Sequence, residues 1–142
     1  MSSWTIPKPT DVLSYAYLWH SEALKGREEG VKDRPVVVVV AITTGDDRTD
    51  VIVVPVTTRP PRSGDSVVEI PERVRRHLGL TADRCWIVCG EVNRFIWPGP
   101  DVRPIASRNG SPCYGAIPGK LFDQIRVTIA ADVGLKLKVT RR

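Results

Sequence analysis

The sequence places a basic side chain and hydroxyl groups at the ends of two apolar runs. Arg34 directly precedes a run with five consecutive valines, and Thr57, Thr58 and Arg59 directly follow the next run. A guanidinium can hold a phosphate through charge-assisted, bidentate hydrogen bonds, and a hydroxyl can add another bond. If the two runs are neighbouring strands, the pattern indicates a phosphate-binding site.

A third polar group, Glu91, Asn93 and Arg94, follows another apolar run that ends at Cys89. If the three runs pack side by side as strands, the three polar groups converge at one rim of the sheet. A phosphate-binding rim is one interpretation. The other is that strand ends are where polar residues accumulate in any sheet, and spacing alone leaves both open.

Metal ligands and common nucleophile motifs are not apparent in the sequence. His20 and His77 have no carboxylate or cysteine at ligand spacing, so we predict no metal site and no cofactor. The chain has no Gly-x-Ser-x-Gly motif, no Walker loop and no dinucleotide-binding fingerprint. Cys85, Cys89 and Cys113 include no Cys-x-x-Cys pair and are interpreted as reduced core thiols. Nothing points to a Ser-His-Asp or Cys-His arrangement.

The charge distribution favours an acidic partner. The chain of 142 residues carries a formal net charge of +5. Residues 1–60 have a net charge of −1 and residues 61–142 a net charge of +6, so the whole basic excess follows Pro60. Such an excess is typical of a face that follows phosphates, although a well-solvated surface would give the same count.

Length and hydropathy predict one cytoplasmic domain with no membrane contact. A chain of 142 residues suits a single core. The first ten residues contain two prolines and no apolar stretch typical of a signal peptide. The longest apolar run, Val36–Ile42, is too short to cross a bilayer.

The pattern of apolar residues predicts a mainly β (α+β) domain with two inserted helices. One helix is expected from Pro71, closed by Gly79, and the other from Pro118 to about Ala131. The charged segment His20–Asp33 is interpreted as a long loop. The predicted extended segments are Asp11–Trp19, Pro35–Ile42, Val51–Val56, Ser66–Ile70, Cys85–Cys89, and a hairpin of Val92–Trp97 with Val102–Ile105. Strands and helices do not alternate one for one, so a small bent sheet or barrel is favoured over a doubly wound fold.

Three segments of the chain resemble the PemK/MazF family of type II toxins. They are VKDRPVVVVVAI, DVIVVPVTTRPP and GLTADRCWIVCGEVNRF, and the resemblance extends over about residues 11–130. It implies an SH3-like small barrel of the MazF/CcdB toxin kind, with a short inserted helix and a C-terminal helix. It also implies one domain over residues 1–142, with a core of about residues 11–133 and a basic tail at 134–142, that forms a homodimer.

The resemblance further implies a metal-independent endoribonuclease that is neutralised by a cognate antitoxin. Members of the family cleave single-stranded RNA to 2′,3′-cyclic phosphate and 5′-hydroxyl ends. The family's catalytic pair matches Arg34 and Thr57 in this sequence. The RNA-binding positions that the resemblance suggests are Glu29, Thr58, Arg59, Glu91, Asn93 and Arg94.

Two other function classes remain open at the level of sequence. A non-catalytic CcdB-like toxin would bind a protein target tightly and give no RNA products. A nucleic-acid-binding barrel would bind RNA with an affinity that falls with salt, again without cleavage.

Overall fold

The computed structural model describes residues 4–24, 26 and 32–132, together with the backbone of residues 136–140. In this part of the chain the elements are β1 (Asp11–Tyr15), α1 (His20–Leu24), β2 (Arg34–Thr43), β3 (Thr49–Thr57), β4 (Val67–Glu69), α2 (Glu72–Leu78), β5 (Trp86–Val88), β6 (Glu91–Ile96), β7 (Cys113–Ala116), α3 (Gly119–Ala131) and β8 (Lys136–Thr140). A 3-10 turn, Ala106–Arg108, lies between β6 and β7.

Seven of these strands form a mainly antiparallel sheet. The hydrogen-bonded order is β4-β5-β3-β2-β1-β7, and β6 pairs antiparallel with β3 beside β5. β8, which lies in the predicted basic tail, pairs parallel with β6. The sheet with its α-helices confirms the predicted α+β class, and α2 and α3 are the predicted inserted and C-terminal helices.

The predicted closed SH3-like barrel is wrong, because the sheet is open. Among the described residues, β4 and β7 lie at the two ends of the strand order and do not pair with each other. α3 packs beside β4, and α2 packs beside β7. Helices rather than strand pairing therefore cover the two ends that closure would join.

The predicted hairpin of Val92–Trp97 with Val102–Ile105 is also wrong. Val102 instead forms an isolated bridge with Tyr15.

The strands β5 and β6 both pair antiparallel with the same side of β3, as one interrupted strand. Val53 and Val56 are three residues apart in β3. Their partners, Asn93 and Ile87, are six residues apart. The chain between β5 and β6 therefore has three extra residues, which form a bulge opposite β3.

Local sequence explains the two longer central strands and the helix boundaries. β2 and β3 are rich in valine, and both faces of this pair are covered, which suits a continuous apolar run. Pro71 precedes α2, and Gly79 ends it at a φ of 74° with its N–H bonded to the carbonyls of Arg75 and Arg76. Pro118 precedes α3 in the same way.

Side chains that alternate along the strands form two buried clusters on opposite faces of the sheet. Val37 and Val54 belong to the cluster that α2 and α3 cover. Val36 and Val53 belong to the other cluster, together with Tyr15, Tyr17 and Phe95. Both clusters therefore hold β2 and β3 in place.

No helix in the described part of the chain is long and apolar enough to cross a membrane.

Candidate active-site cleft

A cleft of about 800 Å³ opens where β2 begins and β3 ends. β2 and β3 are antiparallel, with Val36 opposite Pro55, so the first residue of β2 and the last residue of β3 come together at one edge. The walls are completed by α1, the β3–β4 loop, the bulge between β5 and β6, and the end of α3.

Five of the predicted site residues line this cleft. Arg34 enters it from the start of β2, and Thr57, Thr58 and Arg59 enter it from the end of β3. Glu91 reaches it from the bulge between β5 and β6. The predicted convergence of strand-end residues at one rim is therefore observed for these five side chains.

Two of the described residues that were predicted to bind RNA do not line the cleft. Asn93 is fully buried, and Arg94 is exposed and paired with Asp50 at a distance of 3.2 Å between Nη2 and Oδ1. Glu29 lies outside the described residues.

Asn93 has a structural role, because its amide fastens the chain segment before α1. Its Oδ1 accepts a hydrogen bond from the Leu18 N–H at 2.9 Å, and its Nδ2 donates to the Leu18 carbonyl at 2.8 Å. The pair of bonds ties β6 to the segment that carries Tyr17 and Trp19, and both of those aromatic rings lie next to the cleft.

Replacing Asn93 with alanine is expected to destabilise the fold by about 2–3 kcal/mol, because it leaves a buried N–H and a buried carbonyl of Leu18 without partners. Urea unfolding measures this difference. The exposed neighbour provides the control, since Arg94→Ala removes only a surface ion pair and should change the free energy of unfolding by about 0.5 kcal/mol or less. Equal stability of the wild type and Asn93→Ala would contradict the structural role.

The Arg34 side chain is half-buried and held on two sides. Its guanidinium carbon lies 4.9 Å from the centre of the Trp19 ring, and its Nη1 donates to the Val56 carbonyl at 3.5 Å. Its Nε has no hydrogen-bond partner among the described residues. Burial lowers the pKa of Arg34, Glu22 opposes this, and the nearby Arg59 charge lowers it further. A guanidinium stays protonated at neutral pH even so, and it keeps donors to offer a ligand.

Glu91 is oriented by two donors on the α1 side of the cleft. Its Oε2 accepts from the Tyr17 hydroxyl at 3.1 Å and from the His20 N–H at 2.8 Å. Burial raises the pKa of Tyr17, and the Glu91 charge raises it further, so this phenol stays protonated and keeps donating. The Arg34 charge has a smaller effect in the opposite direction on the pKa of Tyr17.

The start of the β3–β4 loop is fixed through the Thr57 side chain. The Thr57 Oγ1 accepts a hydrogen bond from the Arg59 N–H at 3.1 Å. This bond leaves the hydroxyl proton of Thr57 able to donate to a bound oxygen. The hydroxyl therefore has a defined position at the edge of the cleft.

The four cations of the cleft come from two parts of the chain. Arg34 and Lys32 belong to β2 and the segment before it, and Arg59 and Arg62 belong to the β3–β4 loop. None of these four cations forms an ion pair with another described residue. The carboxylates of the cleft are Glu22, Asp65, Glu91 and Asp132. A phosphate would find its donors on the β2 and β3–β4 side.

One of the three thiols, Cys89, is fully buried. Burial raises the pKa of Cys89 to about 12, and the Asp132 charge contributes, so this thiol stays protonated. Within the described ranges, no three His, Cys, Asp or Glu side chains are grouped so that they could hold a metal ion.

Sequence reasoning missed Trp19, Glu22 and Arg62, which line the cleft, and Tyr17, which is buried and donates to Glu91. Tyr17 and Trp19 fall in a segment with an aromatic residue at every second position, directly before the charged segment, and this spacing was the available signal. Glu22 accepts the Trp19 N–H at 3.1 Å and so caps α1, a helix that was predicted to be loop.

Neither the protein-family models nor the curated proteins compared with this chain give a match. Function is therefore inferred from the residues of the cleft and from the resemblance of the three segments.

Proposed function

We propose that the protein is a metal-independent endoribonuclease that cleaves single-stranded RNA to 2′,3′-cyclic phosphate and 5′-hydroxyl ends. The observation that carries the proposal is the meeting of Arg34, Thr57 and Glu91 at one cleft. A phosphate-binding cation, a hydroxyl donor and a carboxylate are the groups that transfer of a phosphoryl group to a neighbouring hydroxyl needs.

Arg34 is proposed to stabilise the negative charge that builds up on the phosphoryl oxygens. Its guanidinium is already oriented by the Trp19 ring and the Val56 carbonyl, so little reorganisation accompanies the reaction. Thr57 is proposed to hold the same phosphate through its hydroxyl proton, and Arg59 supplies a second cation.

Glu91 is proposed to accept the proton of the attacking 2′-hydroxyl. The bond between the 2′-oxygen and phosphorus forms as the bond between phosphorus and the 5′-oxygen breaks. The leaving 5′-oxygen takes a proton from water while Arg34 stays hydrogen-bonded to the phosphoryl oxygens, and protonated Glu91 then releases its proton to water. Among the four carboxylates of the cleft, Glu22 caps α1, Asp65 closes a loop turn and Asp132 follows the end of α3. Glu91 is held at the cleft by hydrogen bonds from the Tyr17 hydroxyl and the His20 N–H.

We also propose that the enzyme is a cytoplasmic toxin that works as a homodimer and is inhibited by a cognate antitoxin. The resemblance to PemK/MazF toxins supports this part of the proposal. An inhibitor segment that lies in this cleft beside α1 would cover the residues proposed to bind RNA. A disordered inhibitor that folds on binding suits such regulation.

The test is incubation of the purified protein with a long single-stranded RNA in EDTA. Discrete fragments with 5′-hydroxyl and 2′,3′-cyclic phosphate ends are expected, and the same RNA annealed to its complement should be spared. End labelling before and after phosphatase treatment identifies the two kinds of end. Intact RNA with tight binding would instead indicate a nucleic-acid-binding protein without catalysis.

A further inference from the structure

The β3–β4 loop carries two arginines along the mouth of the cleft. Arg59 and Arg62 are both exposed and both line the cleft. Neither forms an ion pair with a described residue. Arg59 was among the predicted RNA-binding residues, whereas Arg62 lies beyond the segment that sequence reasoning singled out.

Hydrogen bonds fix both ends of this loop. The Arg59 N–H is bound to the Thr57 hydroxyl at 3.1 Å. On the other side, the Arg62 N–H donates to Asp65 Oδ2 at 2.7 Å, and the Asp65 N–H donates to the Arg62 carbonyl at 3.1 Å. Gly64 in this turn has a φ of 89°, as the third position of a type II turn requires.

The residues between the two arginines are Pro60 and Pro61, and they stiffen the spacing. Proline fixes φ near −65°, and a residue before proline is restricted to extended conformations, so the two prolines limit how far the distance between the arginines can vary. Arg59 and Arg62 are three positions apart, and both line the cleft.

We propose that Arg59 and Arg62 form a two-phosphate bracket, in which Arg59 acts with Arg34 at the phosphate that is cleaved and Arg62 binds a neighbouring phosphate of the same strand. The bracket rests on the proposed function and specifies its substrate, a flexible single strand with at least two consecutive phosphates. The electrostatic effect of Arg59 on Arg34 is consistent with the two sharing one anion.

The test measures binding of a 2′-O-methyl RNA, which lacks the attacking hydroxyl and is not cleaved, over a range of salt concentrations. Arg62→Ala is expected to weaken binding roughly tenfold and to make the slope of log affinity against log salt shallower by about 0.7, the value for one phosphate contact on a single strand. The Arg62 turn should survive, because its bonds come from the main chain and from Asp65. Arg48→Ala is the matched control, since it removes an exposed arginine at the opposite end of β3.

A neutral methylphosphonate placed at one phosphate at a time locates the contact. At the position that Arg62 binds, the substitution should weaken binding to the wild type and leave binding to Arg62→Ala unchanged. The double change Pro60→Gly and Pro61→Gly keeps both charges, so it should keep the salt slope and lose several-fold in affinity as the spacing becomes flexible.

The outcomes separate the bracket from the proposed function. If Arg62→Ala binds like Arg48→Ala, with the same slope, the bracket is wrong even while the wild type cleaves RNA. If the glycine variant binds like the wild type, the rigid spacing is wrong. A wild type that neither binds the 2′-O-methyl strand nor cleaves RNA would overturn both proposals.

Discussion

Arg34→Ala is expected to cleave RNA about 10²–10³-fold more slowly than the wild type, the usual cost of removing one preorganised donor to a developing negative charge. Among the described arginines that line the cleft, Arg34 is the one whose guanidinium is held by other residues, the Trp19 ring and the Val56 carbonyl. Single-turnover cleavage at saturating protein measures the change, since it reports the chemical step and not the affinity.

A second substitution separates charge from geometry. Arg34→Lys keeps the positive charge but loses the planar fork that binds two phosphoryl oxygens and stacks on Trp19, so it should remain well below the wild-type rate. Arg48→Ala controls for loss of an exposed charge and should cleave at the wild-type rate. The melting temperature of each variant shows whether the fold is intact. A folded Arg34→Ala protein with the wild-type rate would remove Arg34 from the mechanism.

Glu91→Gln is the second large effect and is expected to lower the single-turnover rate about 10²–10⁴-fold, the range for losing a general base. Glutamine keeps an oxygen that can accept from the Tyr17 hydroxyl and the His20 N–H, so the local structure should persist. RNA binding should be equal or tighter, because a negative charge that repels phosphate has been removed.

This combination of slower chemistry with unweakened binding is what distinguishes a base from a binding residue. Affinity is measured with the 2′-O-methyl strand, and Glu72→Gln on α2 serves as a control for loss of a carboxylate outside the cleft. If Glu91→Gln weakens binding and leaves the saturated rate unchanged, Glu91 binds RNA, as the sequence alone suggested, and another group accepts the proton.

The central part of the site followed from sequence because its elements have strong local signals. The valine run and the following apolar run predicted β2 and β3, and antiparallel pairing of adjacent strands brings Arg34 and Thr57 to the same edge. Pro71, Gly79 and Pro118 marked the boundaries of α2 and α3 through backbone preferences that need no tertiary contact.

Other parts depend on contacts that local patterns do not encode. The three-residue bulge between β5 and β6 changes which side chains face the cleft, and it sends Glu91 into the cleft and Asn93 into the core. The helix α1 is capped by its own Glu22, and it lies in a segment whose charges and glycines suggested a loop. The short strand β7, with Gly115 in its middle, offered little β pattern and is held by its pairing with β1.

The sharing of β3 between the two buried clusters has a thermodynamic consequence for the cleft. Val53 and Val54 face opposite clusters, and the same strand ends at Thr57 in the cleft. A local opening that displaced the end of β3 would have to disturb both sides of the sheet, so such excursions are rare compared with fraying at the ends of the sheet. The position of Thr57 and global folding then belong to one cooperative unit, and few molecules should be folded with this edge of the cleft disarranged.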